Sequence, residues 1–400
     1  MRLLVLSMVF PNREEPHYGV FVKERLRLFR EAYDVPITVV APVPWAPSVG
    51  PERWQRFRRV PTEESIDGFR ILHPRFASPP GFGDRWRSAM MARGVQACLR
   101  NELDSDSDTI LDAHFAWPDG VAASLVRPSL EAHIGRRVPL VVTVRGTDVN
   151  LMPQQPGVRP RLCRGLGQAD HVICVAEALR EVVLELGVPS DRVTTLRNGV
   201  DAERFSPGDA VQARREVGLR TERSVILCVG HLTPRKGQEL LIESFSQIRS
   251  MPDGGGLSGS ILVFVGDGEQ RGDLERHCHR LGLEDDVLFT GAVEPETLPH
   301  WYRAADVLVL PSRREGWPNV VLEALACGVP VIATRVWGTP EIIEGCSAGA
   351  LVDPTVEGIL EGLSTFSSLD RTVARSWAER HSWDSTLAGM DKIFQEVIKE

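Results

Sequence analysis

The stretch VILCVGHLTPRKGQELLIESF, residues 225–245, decides the fold class. Its first five residues are all apolar, as expected for a strand that is buried on both faces of a parallel sheet. A turn that contains glycine follows, and residues 240–248 then carry apolar side chains at the spacing of an amphipathic helix. A strand, a turn and a helix in this order form the repeating unit of a doubly wound α/β fold.

The same unit recurs on both sides of this stretch. Further apolar runs typical of buried strands occupy residues 3–6, 37–40, 109–113, 140–144, 171–175, 193–196, 261–265, 287–289, 307–310 and 329–334. Helical patterns separate several of them, and the run pauses at residues 204–209. Because 400 residues exceed what one hydrophobic core supports, we predict two Rossmann-like parallel-sheet domains over residues 1–203 and 204–380. Residues 381–400 are predicted to form a helix that packs back on the first domain.

Composition is that of an ordinary soluble protein, with 42% apolar and 25% charged residues. No run approaches the roughly 20 apolar residues that cross a bilayer, and the first residues are too short a run for a signal peptide. The seven cysteines are scattered without a C-x-x-C pair, which suits a reducing compartment. We therefore expect a cytoplasmic protein.

Charge is distributed unevenly along the chain. Residues 1–100 hold 16 Lys+Arg and 10 Asp+Glu, whereas the whole chain has a net charge of −8. A basic first quarter favours an anionic partner such as the inner face of the cytoplasmic membrane, and a solvated basic face explains it equally well. The basic segment at residues 53–59 lacks a recognisable nucleic-acid motif, so no nucleic-acid partner is expected.

The turn at residues 230–237 contains a glycine and two adjacent cations, Arg235 and Lys236. A glycine here allows backbone N–H groups to approach an anion, and the following helix contributes its positive end. These features favour a diphosphate site, and the alternative is a turn with two exposed cations.

Two carboxylates, Glu315 and Glu323, lie eight residues apart after the strand at 307–310. Glu323 is expected about one turn into a helix, among apolar neighbours that suggest burial. A buried carboxylate needs a partner, and a carboxylate can accept hydrogen bonds from two neighbouring sugar hydroxyls. The alternative for Glu323 is a carboxylate on a surface helix.

Residues 311–334, PSRREGWPNVVLEALACGVPVIAT, resemble the E-x7-E region of the large retaining glycosyltransferase family 4, which has the GT-B fold. Three shorter matches support the resemblance, namely a hinge motif at 197–201, a G-x-G turn at 266–268 and a G-x-P-E turn at 338–341. The resemblance implies two domains that face across a cleft, with the acceptor on the N-terminal side and the donor on the C-terminal side.

The resemblance also implies roles for individual residues. Glu323 would bind the ribose hydroxyls, Glu315 the hydroxyls of the donor sugar, and Arg235 and Lys236 the diphosphate. The remaining donor-binding candidates are backbone or neighbouring positions: Gly19, His231, Ala292, Val293, Gly316, Trp317, Pro318, Asn319 and Val320. His114 would reach the donor sugar near the reacting carbon, so the predicted catalytic residues are His114, Arg235, Lys236 and Glu315.

Two departures from the family pattern bear on the site. His231 stands where the family commonly has arginine, and Arg145, in Arg145-Gly146-Thr147-Asp148, stands where it commonly has histidine. A fixed charge at Arg145 could bind a phosphate, an anionic sugar or an acceptor. Asp148 and Asn198 are further candidates for contact with the acceptor or a phosphate.

The predicted reaction is transfer of a sugar, with retention of configuration, from a nucleoside-diphosphate sugar to a glycan or lipid-linked acceptor. UDP is the preferred nucleotide, and surface-polysaccharide biosynthesis is the expected setting. No metal and no cofactor is expected, because the chain lacks a D-x-D-type pair and the acidic loop at 104–108 reads as solvated. The alternatives are a sugar-nucleotide epimerase or hydrolase, and a non-catalytic sugar-binding protein.

Overall fold

The computed structural model describes residues 1–78, 84–103, 107–250, 257 and 259–399. It divides into two units: unit 1 is Met1–Arg197 with Asp384–Glu400, and unit 2 is Asn198–Trp383. The first change of unit therefore falls after Arg197, six residues before the predicted boundary, and the second after Trp383. Residue Asn198 belongs to unit 2 because its carbonyl accepts a hydrogen bond from the Trp317 indole, at 3.0 Å.

The described residues of unit 1 form ten strands and eight α-helices. Seven of these helices precede residue 198, and the eighth is the last helix of the chain. The strands are β1 Arg2–Leu6, β2 Ile37–Val40, β3 Val43–Pro44, β4 Glu63–Ile66, β5 Phe69–Leu72, β6 Arg75–Phe76, β7 Thr109–His114, β8 Leu140–Val144, β9 His171–Cys174 and β10 Val193–Thr195. The helices are α1 Val20–Tyr33, α2 Glu52–Arg59, α3 Arg87–Glu102, α4 Val121–Ile134, α5 Thr147–Asn150, α6 Arg159–Gly167 and α7 Glu177–Glu185.

The main sheet of unit 1 has the strand order β10-β9-β8-β7-β1-β2-β5-β4. All its pairings are parallel except β4 with β5. Residues Leu3 to Leu6 of β1 are buried, as their unbroken apolar run predicted. All six residues of β7 are buried as well, including Asp112 and His114. The strand order reverses between β1 and β7, and ligands of such sheets bind at the carboxyl ends of the strands beside this point.

Unit 2 alternates strands and helices throughout. Its strands are β11 Val225–Val229, β12 Ile261–Val265, β13 Val287–Gly291, β14 Val307–Leu310, β15 Val331–Thr334 and β16 Gly349–Val352. Its helices are α8 Ala210–Glu216, α9 Gln238–Ser250, α10 Arg271–Leu281, α11 Leu298–Ala304, α12 Asn319–Ala326, α13 Thr339–Ile343, α14 Val356–Ser364 and α15 Arg371–Glu379.

The sheet of unit 2 is parallel throughout, in the order β13-β12-β11-β14-β15-β16. This is the doubly wound arrangement, with the reversal of strand order between β11 and β14. The loops that follow these two strands are residues 230–237 and 311–318. The two stretches that the sequence singles out therefore lie side by side at the expected ligand-binding edge.

The last helix, α16 Asp384–Lys399, belongs to unit 1. Its Phe394 ring lies edge-on to Phe29 of α1, with centroids 5.3 Å apart, and its Met390 sulfur accepts a hydrogen bond from Arg25 Nε. Within the described residues, no helix is both long enough and apolar enough to cross a membrane.

Candidate functional site

The two loops at the strand-order reversal of unit 2 are joined through their backbones. Gly237 has φ 66° and ends the β11 loop, and a Cβ built on it would lie 2.2 Å from the Pro311 carbonyl oxygen. Nearby, the Arg313 N–H donates to the Arg235 carbonyl at 2.8 Å. Only glycine fits this approach without displacing the backbone, so the β11 loop and the β14 loop form one surface.

An ion pair bridges the same two loops. Lys236 Nζ lies 2.6 Å from Glu315 Oε1, and the side chains are only 12% and 6% exposed. The hydroxyl of Ser312, which is fully buried, donates to the same carboxylate oxygen at 2.6 Å. The sequence did not predict the contact between Lys236 and Glu315, and it did not predict that Ser312 joins them. The pair gives the edge of the sheet a preorganised cation and carboxylate, which suits a polar anionic ligand.

Glu323 lies one turn into α12, as predicted, and is partly buried. The Tyr302 hydroxyl donates to Glu323 Oε2 at 2.6 Å, and Tyr302 itself is fully buried in α11. Burial raises the pKa of Glu323, whereas the Tyr302 hydrogen bond and nearby Arg204 lower it. Tyr302 was missed because nothing in the sequence links α11 to α12. It holds one carboxylate oxygen and thereby fixes the direction of the other.

The loop after β12 packs with its backbone directly against the backbone of the β11 loop. A Cβ on Gly266 would meet the Gly230 carbonyl oxygen at 2.2 Å, and one on Gly268 would meet the Leu232 carbonyl oxygen at 2.3 Å. His231 is exposed, and its Nδ1 lies 3.2 Å from the Asp267 carbonyl oxygen. Because a carbonyl only accepts, Nδ1 is the donor in this contact.

The other predicted residues of unit 2 differ in their availability. The Arg235 side chain and Ala292 are exposed, while Gly316 and the side chains of Val293 and Val320 are half-buried. Pro318 is buried and directly precedes α12.

Trp317 and Asn198 contact each other. The Trp317 indole donates to the Asn198 carbonyl, and the Asn198 amide donates to Asn319 Oδ1 at 3.2 Å. Asn198 is only 3% exposed. These contacts join Asn198 to the β14 loop and to the start of α12. The role of Trp317 in donor binding and that of Asn198 at an acceptor or a phosphate stay predictions.

In unit 1, Gly19 begins α1 with φ 77°. A Cβ on it would lie 2.5 Å from the Val9 carbonyl oxygen. The requirement for glycine therefore comes from the loop after β1 folding against its own backbone. Any room that Gly19 leaves for a phosphate remains a prediction.

His114 ends β7 and is fully buried, with both ring nitrogens occupied. Its Nε2 lies 3.0 Å from Asp112 Oδ2, and its Nδ1 lies 2.7 Å from Arg145 Nη2. Burial lowers the pKa of His114. Both ring nitrogens are thus used within unit 1, and the contact of this ring with the donor sugar stays a prediction.

Asp148 binds backbone N–H groups. Its carboxylate oxygens accept hydrogen bonds from Ala116, Arg145 and Gly146, at 2.7 to 3.3 Å. It is 1% exposed. Asp148 therefore organises the ends of β7 and β8, and its contact with an acceptor or a phosphate stays a prediction. Asp119, which the sequence did not suggest, does the same for the β1 loop by accepting from the Met8 N–H at 2.6 Å.

Over the described ranges, no three His, Cys, Asp or Glu side chains come together in a way that could hold a metal ion. Residues 104–106 of the acidic loop lie outside the described residues.

Comparisons with known proteins cover both units. A family model described as Glycosyltransferase Family 4 matches residues 19–204, and one described as Glycosyl transferases group 1 matches residues 210–381. The GDP-mannose-dependent alpha-(1-6)-phosphatidylinositol monomannoside mannosyltransferase of Mycolicibacterium smegmatis is 32% identical over 395 residues, 95% of this chain and 93% of that protein. The N-acetyl-alpha-D-glucosaminyl L-malate synthase of Bacillus anthracis is 28% identical over 265 residues, 66% of this chain and 65% of that protein.

Solved structures share the architecture at low identity. Sucrose-phosphate synthase from Thermosynechococcus elongatus has a TM-score of 0.79 and 18% identity, covering 100% of this chain and 99% of that one. HepE of Anabaena, solved in complex with UDP, has a TM-score of 0.72 and 18% identity, covering 99% and 100%. These likenesses confirm the expected GT-B fold with two parallel-sheet α/β units.

Proposed function

This chain belongs to glycosyltransferase family 4 and is a glycosyltransferase, and we propose that it moves a sugar from a nucleoside-diphosphate sugar to a hydroxyl of a glycan or lipid-linked acceptor. The observation that carries the proposal is the Lys236–Glu315 pair at the strand-order reversal of unit 2. A diphosphate needs a cation, and a sugar needs a carboxylate that accepts from its hydroxyls. One bridged pair of loops supplies both groups.

Donor binding divides among three parts of unit 2. Lys236 and Arg235 neutralise the diphosphate, and Glu315 accepts from the sugar hydroxyls once the donor draws Lys236 toward phosphate. Glu323, held by Tyr302 through one oxygen, accepts from the ribose hydroxyls with the other. The backbone around Ala292 and Val293, directly after β13, borders the base.

Transfer proceeds with retention at the anomeric carbon. Departure of the nucleoside diphosphate builds negative charge on its β-phosphate, and preorganised cations stabilise that charge. The acceptor hydroxyl attacks from the same face and passes its proton to the departing phosphate. Because fixed cations already face the leaving group, the reaction is proposed to need no metal, and full activity in a chelator such as EDTA tests this point.

UDP is the first choice of nucleotide, since a protein of the same fold has been solved with UDP. GDP is the second, because the mycobacterial relative is GDP-mannose-dependent by name. The name of that relative also includes a phosphatidylinositol monomannoside, which supports a lipid-linked or surface glycan as the acceptor. The basic helix α2, residues Glu52–Arg59, is the proposed point of peripheral contact with an anionic membrane.

The first experiment is a thermal-shift screen against UDP, GDP and ADP and their sugars. A ligand that binds the native protein raises its melting temperature, and we expect one base to give the largest shift. The preferred donor is then incubated with and without acceptor extracts. Transfer that needs an acceptor supports the proposal, whereas equally fast turnover of donor alone identifies an epimerase or a hydrolase.

Lys236→Met provides the matching variant, with Lys392→Met as a control, because Lys392 is 75% exposed on α16. Loss of transfer in the first variant and full transfer in the second is the expected result. Equal transfer by both variants would remove Lys236 from the proposed site.

A further inference from the structure

Arg145 is a buried cation that the proposed donor site of unit 2 does not use. It directly follows β8, at the carboxyl edge of the unit 1 sheet, and is 8% exposed. Its guanidinium lies over the Phe21 ring, 5.1 Å from the ring centroid. Arg145 therefore occupies the edge at which ligands of doubly wound sheets bind.

The hydrogen bonds of Arg145 fix the state of its neighbour. A guanidinium can only donate, so His114 Nδ1, 2.7 Å from Arg145 Nη2, is an acceptor. The ring proton is then on Nε2 and is donated to Asp112 Oδ2. His114 is thus neutral, with both nitrogens used, and serves to hold Arg145 in position.

One further donor of Arg145 is not satisfied. Its Nε is buried and has no hydrogen-bond partner within the part of the chain that the structure describes. Of the nearby carboxylates, Asp148 accepts from three backbone N–H groups. Asp112 accepts from His114 through Oδ2, while its buried Oδ1 has no partner among the described residues.

A second cation and two carboxylates surround Arg145. Burial and the charge of Arg25, a second fully buried guanidinium, lower the pKa of Arg145 to about 9, whereas the carboxylates of Asp112 and Asp148 raise it. Asp112 acts on Arg25 as well, so the two buried guanidinium groups share this carboxylate. An oxyanion that reached the unpartnered Nε would give Arg145 the hydrogen-bond acceptor that it lacks.

We propose that Arg145 binds an oxyanion, a phosphate or a carboxylate carried by a substrate, and that His114 is its positioning residue. A guanidinium suits this task, because it can donate two parallel hydrogen bonds to one oxyanion. The family resemblance implies that His114 reaches the donor sugar, whereas here it is proposed to position Arg145. The existence of the oxyanion site does not depend on the proposed function, but its assignment to the donor or to the acceptor does.

Two binding experiments separate the possible sources of the oxyanion. The first compares wild type with Arg145→Gln for affinity to UDP and GDP by calorimetry. The second titrates inorganic phosphate into protein saturated with the nucleoside diphosphate, at constant ionic strength, so that unit 2 is already occupied. Loss of at least about tenfold in the first experiment assigns the oxyanion to the donor. The same loss in the second assigns it to the acceptor.

Matched variants test the positioning role of His114. We expect His114→Ala to weaken the same interaction, and His114→Gln to restore much of it, because an amide can accept from Arg145 and donate to Asp112. Arg93→Gln, which removes an exposed arginine of α3, is the control for loss of charge alone and should leave both affinities unchanged.

The proposal is overturned when Arg145→Gln binds the nucleotides and phosphate as wild type does in both experiments. If Arg145→Gln does not fold, the same measurements are made with Arg145→Lys, because lysine keeps the charge and loses the bidentate geometry. An unchanged affinity in that variant overturns the proposal as well. If Arg145→Gln shows no change in affinity and sugar transfer is normal, the oxyanion site is refuted and the proposed function stands. The transfer assay with Lys236→Met tests that function separately.

Discussion

Tyr302→Phe tests how the carboxylate of Glu323, which is proposed to bind the ribose, is held in place. The substitution removes one hydroxyl, which donates to Glu323 Oε2 at 2.6 Å from a fully buried ring. A hydrogen bond to a charged group contributes about 1.5–3 kcal/mol, so we expect nucleotide affinity to fall about 10- to 100-fold. Burial raises the pKa of Tyr302 well above its ordinary value, so the hydroxyl is the donor across the working pH range.

The pH dependence of this loss has a definite sign. Burial raises the pKa of Glu323 and the Tyr302 hydrogen bond lowers it, so Tyr302→Phe raises that pKa further. A larger fraction of Glu323 is then protonated at mildly acidic pH, and a protonated carboxyl is the weaker acceptor. We therefore expect the loss of affinity to be greater at about pH 6 than at about pH 8.5.

Calorimetry with the nucleoside diphosphate chosen by the thermal-shift screen provides the assay, and its 2′-deoxy analogue is the control. The analogue lacks one of the hydroxyls that Glu323 is proposed to bind, so its affinity should respond much less to Tyr302→Phe. A folded variant that binds the ribonucleotide as tightly as wild type at both pH values would refute the reasoning.

Three further predictions concern stability and loop geometry. Lys236→Met leaves the Glu315 carboxylate buried without its cation, so it should destabilise the protein by up to about 3 kcal/mol, and adding Glu315→Gln should recover part of this in urea unfolding. Gly237→Ala should weaken diphosphate binding at least about tenfold, because its Cβ would lie 2.2 Å from the Pro311 carbonyl oxygen; wild-type affinity would contradict the bridged loops. Burial raises the pKa of Asp119 to about 8. Below that pH the folded protein therefore holds a proton on Asp119 that the unfolded chain releases at about pH 4. Wild type should therefore lose stability relative to Asp119→Asn as pH rises from about 4 to about 8, by up to about 1.4 kcal/mol per pH unit, and a pH-independent difference would contradict the assignment.

The sequence predicted the central strands well because both faces of each strand are covered. Strands such as β1, β11 and β14 are apolar at nearly every position, and no polar residue interrupts them. The outer strands escaped prediction for physical reasons. Strand β4, EESI, alternates exposed and half-buried positions at the edge of its sheet. Strand β16, GALV, begins with two small residues and has only two bulky apolar side chains.

The candidate site was predictable where chemistry lies within one loop and not where it depends on contacts across the fold. Lys236 and Glu315 were identified individually, and their pairing is a product of strand order that no local pattern records. Tyr302 and Ser312 could not be predicted from the sequence, because no spacing of residues marks a buried hydroxyl that binds a carboxylate. His114 shows the converse: its position at the end of a strand was predicted, whereas its enclosure by Arg145 required coordinates.

Lys236 is proposed to bind the diphosphate of a sugar nucleotide at the carboxyl edge of the unit 2 sheet. The most direct test compares nucleoside diphosphate with nucleoside monophosphate binding in wild type and in Lys236→Met. We predict that wild type prefers the diphosphate by at least about tenfold and that the variant loses most of this preference while still binding the monophosphate. A variant that keeps the full preference would contradict the account.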